Sequence, residues 1–362
     1  MKIIKLETFS RPMVGFVKVT TDSGAVGYGQ MSTYNADISA LVFHRQVARY
    51  ALGRNPLERE AIVDSCVEGE YKFPGSYVRR ALAGLDTALW DLQGKIEQKS
   101  VCGLLRGTRT HVTAYGSSMR RDISPADEAE RLKALKDEKG FQAFKIRVGK
   151  ICGHDEDQWT GRTEEIVPAV RNAIGDETGL FVDANSCYTP EKAIEVGKML
   201  EDHGVSHFEE PCPYWEIEWT ARVTAALDVP VAGGEQDVSL AQFRRMIDID
   251  AVDIVQPDIC YLGGLTRALR VATMAEEKGK PCTPHSANRS MVTLFTLHML
   301  AAIPNSGGYL ELSIEDTPGM DELFYPLLKV QDGKVAVPDG PGWGVEINRT
   351  WLEKADYQVS EA

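Results

Sequence analysis

The chain has 362 residues, enough for one large domain or two of ordinary size; 43% are hydrophobic and 26% charged, the balance of a soluble globular protein with material for a core. A formal net charge of −13 repels phosphate polyanions and argues against nucleic acid or an anionic membrane as partner. No run approaches the ~18–20 uninterrupted apolar residues of a membrane span, "MKIIKLETFS" lacks the features of a secretion signal, and the seven cysteines, odd in number and without CxxC spacing, read as reduced cytosolic thiols.

The first third looks α+β. "KIIKLETFS" and "GFVKVTTDSGAVGYGQ" alternate as two strands of a hairpin-like sheet, with Asp-Ser-Gly as turn chemistry. A helix is predicted over 76–96, where Leu82, Leu85, Leu89 and Leu92 recur at helical spacing. From about residue 111 short apolar runs alternate with amphipathic stretches: "HVTAYGSS", "AFKIRVG", "GLFVDAN", "SHFEEP", "VPVAGGE", "AVDIVQPD", "KPCTPHS" and "YLELSI". Eight such strands with helix-length connections predict a parallel sheet covered by helices and closed into a (β/α)₈ TIM-type barrel. A long doubly wound sheet is the alternative, but no glycine fingerprint supports a nucleotide crevice. The tail from about 321, with "PDGPGWGVEI", cannot add a ninth unit and is expected to pack back on the N-terminal region. The expected divisions are therefore 1–110, 111–320 and 321–362.

The strand ends carry the chemistry. Asp183, Glu209, Glu235, Asp258, His285 and Glu311 follow one another at intervals of 26, 26, 23, 27 and 26 residues, one strand–helix unit each time. In a parallel barrel these positions converge on the C-terminal face. Any one of them alone reads equally well as a helix cap; six in phase do not. Asp183, Glu209 and Glu235 form an all-oxygen, hard set whose mutual repulsion calls for a cation, and Mg²⁺ suits it better than zinc. Glu210 is expected to make contacts behind Glu209, although sequence alone allows the two to exchange roles. Asp258 is placed to orient His285 and raise its basicity. Lys145 and Arg147 point inward from one face of the second strand and predict an anion opposite them, either a substrate carboxylate or a developing enolate.

In this order and spacing the residues resemble the enolase superfamily, and within it the mandelate racemase-like group. The resemblance rests on the helix "ALAGLDTALWDLQGK", the motifs "VDAN", "EEP" and "GGE", the Asp258/His285 dyad, Glu311 and the late "PGWGVEI", and it covers nearly the whole chain. It implies an N-terminal capping domain over a catalytic barrel. The implied first step has one Mg²⁺, held by Asp183, Glu209 and Glu235, binding the carboxylate of an acid substrate while a base removes the α-proton. His285 would be base or acid, Asn185 would contact a substrate hydroxyl, and Glu311 would donate to the substrate carboxylate or enolate. The group is commonly multimeric, so a cytoplasmic homo-oligomer is expected.

Two departures matter. The group usually carries Lys-x-Lys on the second strand, whereas the second position here is Arg147, a poor base. Racemisation needs competent groups on both faces of the α-carbon; dehydration can run from one face through His285, so a sugar-acid dehydratase acting on an aldonic or aldaric acid is expected. Racemase, epimerase or cycloisomerase chemistry through the same enolate is the second reading, and a non-catalytic sugar-acid binder the third. The second departure is the short cap loop "RPMVG", against a long "GKICGHDEDQWTGR" after the second strand; 36 residues separate Arg147 from Asp183. That long loop reads equally as part of a lid or as a solvated acidic segment.

Overall fold

A computed structural model describes all 362 residues. The cap is built on an antiparallel sheet of β1 (Ile3–Ser10), β2 (Gly15–Thr21) and β3 (Val26–Gln30). The long second run of the sequence is thus two strands rather than one. It folds at Asp22–Gly24, where Gly24 adopts φ 82° and its N–H donates to the Thr21 carbonyl at 3.0 Å. Helices α1 (Ala36–Val42), α2 (Arg59–Gly69) and α3 (Ser76–Glu97) follow.

Helix α3 joins two cores. Leu82, Leu85, Leu89 and Leu92 pack into the cap core, whereas Ala83 and Trp90 belong to the larger core behind it. Burial on both sides accounts for an apolar surface wider than a single stripe. The cap sheet approaches α3 closely because β3 presents Gly27 and Gly29; a Cβ on either would collide with the α3 backbone around Ala88.

After the short α4 (Val101–Leu104) comes the parallel sheet: β4 (His111–Ser117), β5 (Ala143–Arg147), β6 (Gly179–Asp183), β7 (His207–Glu209), β8 (Val231–Gly233), β9 (Ile254–Val255) and β10 (Tyr309–Ser313). Between them lie α5 (Pro125–Lys139), α6 (Arg162–Ile174), α7 (Pro190–Asp202), α8 (Ile217–Thr224), α9 (Leu240–Asp248), α10 (Ile259–Leu262), α11 (Leu265–Glu277) and α12 (Met291–Ala302). Local chemistry marks their ends. The Ser124 hydroxyl accepts the Asp127 N–H, Pro125 opens α5, and Gly140 closes it at φ 72°. No helix is long and apolar enough to cross a membrane.

The hydrogen-bonded ladder runs β10–β4–β5–β6–β7–β8–β9, all parallel, so it holds seven strands and not the eight of a closed ring. "KPCTPHS" forms no strand. Cys282 instead makes single parallel bridges to Val255 and Ser306, and His285 one to Asp258. Pro281 and Pro284 explain the difference, since each removes an N–H and a regular ladder cannot pass through both.

The tail contributes β11 (Phe324–Tyr325), β12 (Val330–Gln331), β13 (Lys334–Ala336), β14 (Glu346–Ile347), α13 (Arg349–Glu353) and β15 (Asp356–Glu361). Only part of it returns to the cap. There β15 pairs with β1, and Trp343 donates from Nε1 to the Thr87 carbonyl at 3.0 Å. The β12–β13 hairpin joins β4 of the parallel sheet instead. β5 reaches β4 only at Gly116 and Ser117, leaving the His111–Thr113 edge for β13 to fill.

Candidate active site

Register places the polar strand ends side by side. Arg147 is opposite Asp183, and Asp183 opposite Glu209. Glu235 lies two residues past β8, beyond Gly234, whose φ of 115° turns the chain. Asp258 and His285 are bridged backbone to backbone, and Glu311 sits at the middle of β10. Period two on the strands directs Lys145, Arg147, Asp183 and Glu209 to one face, and all eight side chains are buried.

Lys145 is at the centre of the charge. Its Nζ stands 2.5 Å from Glu209 Oε1, 2.8 Å from Glu311 Oε1 and 3.5 Å from Asp183 Oδ2. Burial opposes its charge, but Glu209 and Glu311 outweigh burial and hold the ammonium well above its ordinary value. Arg147 Nη1 pairs with Asp183 Oδ2 and donates to Asn185 Oδ1, which also accepts Arg121 Nη2 at 2.8 Å. Burial disfavours the Arg147 charge too, yet Asp183 and its neighbours raise it further, so this guanidinium stays protonated.

The carboxylates differ in how they are satisfied. Glu209 is held well below the usual range: burial opposes the shift, and Lys145 drives it. Its Oε2 accepts Gln256 Nε2 at 3.0 Å, and His207, stacked on Phe181 with centroids 4.2 Å apart, lies 3.4 Å beneath it. Glu235 is pushed up to about 7 by burial, with Glu209 and Asp183 adding to the effect and His285 opposing it. Its Oε2 has no hydrogen-bond partner. Glu210 also has a buried, unpartnered Oε1 and a left-handed φ of 42°. Burial, then Glu235, Asp183 and Glu209, raise its carboxyl well above the ordinary range.

His285 Nδ1 is 2.8 Å from Asp258 Oδ2, and Nε2 is 3.2 Å from Glu235 Oε2 and 3.9 Å from Glu311 Oε2. Burial works against the imidazolium, but Glu235, Glu311 and Asp258 lift its pKa to about 10. The other oxygen of Asp258 accepts the Cys260 and Tyr261 amides at 2.7 and 2.9 Å, capping α10. Both oxygens are thus committed, which fixes the ring with Nδ1–H toward Asp258 and leaves Nε2, the nitrogen facing Glu235, as the atom that gains or loses the second proton.

Glu311 differs from the donor expected of it. Oε1 accepts the Ser117 hydroxyl at 2.8 Å and Oε2 the Ser286 N–H at 2.9 Å. Against burial, Lys145 and His285 hold its carboxyl at about 2, so in this arrangement it accepts and does not donate. Sequence reasoning also missed Ser117, Gln256, Ser286 and Arg121. Strand periodicity puts Ser117 on the face of Tyr115 and Gln256 on the face of Asp258, the one signal available; Ser286 acts mainly through its backbone.

The cap closes the same face with residues other than "RPMVG". Gln30 Nε2 donates to Ser290 Oγ at 2.9 Å, Asn288 Nδ2 to Thr33 Oγ1 at 3.3 Å, and Arg80 stacks 3.8 Å over the Tyr261 ring, itself 6.0 Å from His285. The long loop after β5 is fastened to the loop after β6. Gly153 N–H donates to the Ser186 carbonyl at 2.9 Å, and the Asp155 carboxylate accepts the Thr189 amide at 2.6 Å.

No three His, Cys, Asp or Glu side chains surround a common point; Lys145 draws Glu209 and Asp183 to itself, and Arg147 pairs with Asp183. The donor chemistry nevertheless fits a hard dication. Three adjacent strand ends supply only oxygens, Glu235 Oε2 is buried and makes no hydrogen bond, and burial with mutual repulsion raises Asp183 and Glu235.

Residues 3–106 match the model of the mandelate racemase / muconate lactonizing enzyme N-terminal domain, and residues 127–351 that of the enolase C-terminal domain-like family. An arabinonate dehydratase of Saccharolobus solfataricus is 30% identical over 91% of this chain and 87% of its own. A D-galactarolactone cycloisomerase of Agrobacterium fabrum is 31% identical over 95% of this chain and 91% of its own. A crystal structure from Roseobacter denitrificans, provisionally described as a racemase, superposes with TM-score 0.98 at 56% identity and covers 100% of both chains.

Proposed function

The chain belongs to the mandelate racemase / muconate lactonizing enzyme family of the enolase superfamily, and on that premise we propose that it is a Mg²⁺-dependent sugar-acid dehydratase. It takes an aldonic or aldaric acid to a 2-keto-3-deoxy acid. The parallel sheet with its helices is read as the modified TIM barrel of that family, its ring completed by the bridges at Cys282 and His285.

Asp183, Glu209 and Glu235 would hold the ion. When bound, Mg²⁺ supplies Lewis-acid stabilisation of the charge that gathers on the substrate carboxylate as the α-proton leaves. Lys145, Arg147 and Glu311 set the field around that carboxylate, and Asn185 contacts a substrate hydroxyl. His285 in its neutral form, without the Nε2 proton that Glu235 and Glu311 favour, accepts the α-proton at Nε2 while Asp258 keeps the Nδ1 proton in place. The C–H electrons form the new double bond and the β-carbon–oxygen bond breaks. The same imidazolium returns its proton to the departing hydroxyl as water, and the enol becomes the keto acid.

The observation that carries the reading is one-sided. The His285–Asp258 pair, 2.8 Å apart, presents an imidazole as base, and the second-strand position where the family usually carries a further lysine is a permanently charged Arg147. Dehydratase names among the relatives support the same direction. Cycloisomerase or racemase chemistry is the second reading, favoured by the Agrobacterium and Roseobacter relatives. Incubating the protein with Mg²⁺ and a panel of mono- and diacid sugars in D₂O separates them. Accumulating 2-keto-3-deoxy acid supports dehydration; deuterium in recovered or epimerised acid, without keto product, overturns it. On the same reading the enzyme is a cytoplasmic homo-oligomer, which light scattering tests.

A further inference from the structure

A cavity of about 330 Å³ opens where the cap meets the barrel wall. Asp64 and Glu68 of α2, Arg79 of α3, Arg267 and Arg270 of α11, and the chain at 238–241 leading into α9 line it; no residue of the reaction proposed above does. Three guanidinium groups meet here. Arg270 is neutralised by Asp64, with contacts at 2.6 and 3.0 Å. Arg267 donates only to neutral carbonyls, Leu262 at 2.7 Å and Val238 at 3.2 Å. Burial and repulsion from Arg79 and Arg270 lower it to about 10.

Arg79 is the anomaly. It is 6% exposed, makes no ion pair, and its Nε and Nη1 are buried without any hydrogen-bond partner. A buried guanidinium with unmade hydrogen bonds is expensive to keep unless something completes it. The cavity supplies the other half of an anion site. Helix α9, nine residues long, begins at its wall, and Ser239 at the N-cap makes no side-chain capping bond. The first amides of a helix lack intrahelical partners and carry the positive end of its dipole.

We propose that this cavity binds a small oxyanion, a carboxylate or phosphate group, held by the Arg79 guanidinium and the N-terminal amides of α9. An anion there ties α3 of the cap to α9 and α11 of the barrel wall. The tie lies one residue from Arg80, which stacks on Tyr261 beside His285.

Thermal unfolding and calorimetric titration of the full chain test this, with inorganic phosphate and malonate compared against chloride at matched ionic strength. Phosphate or malonate at about ten times its Kd is expected to raise the melting temperature by about 2–4 °C beyond chloride. A response to phosphate alone marks the ligand as a phosphate compound; a response to both marks the site as one for oxyanions in general, and each upholds the proposal. Arg79→Met should lose the response and melt higher than wild type in chloride, because an uncompensated buried charge is gone. Ala241→Glu, on an exposed position of the cavity wall, keeps the buried core intact and sets its own carboxylate at the helix start. It should abolish the response even where Arg79→Met fails to fold. No anion-specific response in wild type, or an undiminished one in Ala241→Glu, overturns the proposal.

Discussion

Asp258→Asn separates orientation of His285 from mere packing. In the wild type one Asp258 oxygen accepts the Cys260 and Tyr261 amides and the other faces His285 Nδ1 at 2.8 Å. An asparagine of the same shape has one acceptor, and two backbone donors claim it. Its NH₂ must then face Nδ1, which becomes an acceptor and pushes the imidazole proton to Nε2, the atom that has to receive the α-proton. The equivalent exchange in serine-protease triads, which also leaves the wrong tautomer, lowers kcat about 10⁴-fold. Here a loss of about 10³–10⁴-fold is expected, equivalent to about 4–5.5 kcal/mol of barrier. Stability should change by less than about 1 kcal/mol, since both capping bonds survive. The assay follows keto-acid formation and α-proton exchange by NMR in D₂O with Mg²⁺, alongside a melting curve. A variant that retains kcat within tenfold of wild type would refute the reasoning, and so would one whose lost activity is matched by loss of the folded state.

Further outcomes follow from other parts of the fold. His298, fully buried, accepts the Cys102 amide at Nδ1 and faces the Trp343 carbonyl with Nε2, and burial pushes its imidazole down to about 4. It is neutral in the fold while the unfolded chain charges near about 6.5, so its stabilisation is complete above that pH and is lost as pH falls toward about 4. Urea unfolding should show wild type losing about 2 kcal/mol from this group between about pH 7 and pH 5, with His298→Gln flat by comparison; parallel pH profiles would exclude it. Gly29→Ala drives a Cβ into the α3 backbone at Gly84 and Ala88 and should destabilise the cap by about 3 kcal/mol, read as a lower melting temperature. Glu235→Gln should abolish Mg²⁺ binding by calorimetry while changing the metal-free melting temperature little, because the burial cost of the carboxylate and its 3.2 Å approach to His285 Nε2 oppose each other. A variant that still binds Mg²⁺ with wild-type affinity removes Glu235 from the ligand set.

The sequence made the ionisable strand ends legible because a side chain with charge at a fixed phase of a repeating unit stands out from an apolar run. Asp183, Glu209, Glu235, Asp258, His285 and Glu311 all lie at one face on that account. The residues that satisfy them did not stand out. Ser117, Gln256 and Ser286 are neutral, occur in any strand or turn, and acquire meaning only once register sets them beside Glu311 and Glu209. The role of Lys145 was hidden for a related reason. Its inward direction follows from alternation, whereas its attachment to three carboxylates depends on which strands are neighbours. In the fold, eight apolar runs implied eight strands, and the prolines around Cys282 were the overlooked signal that one of them could only bridge. The division of the tail was equally hidden, since it depends on how far β5 extends along β4.

The pairing of β15 with β1 has a consequence for how the molecule is made. Residues 5–10 find their outer neighbour only at 356–361, so every element between them must be made before that edge can be covered. Until then the cap presents an open strand, a template for sticking to other nascent copies. The late-arriving strand therefore acts as a closing seal, and assembly of the cap is held back until all the elements between β1 and β15 have been made. The same arrangement leaves Ala362 donating to the Ile4 carbonyl at 3.0 Å. Residues 4 and 362 are thus neighbours, and a permuted chain that links them through a few residues and opens elsewhere loses this delay.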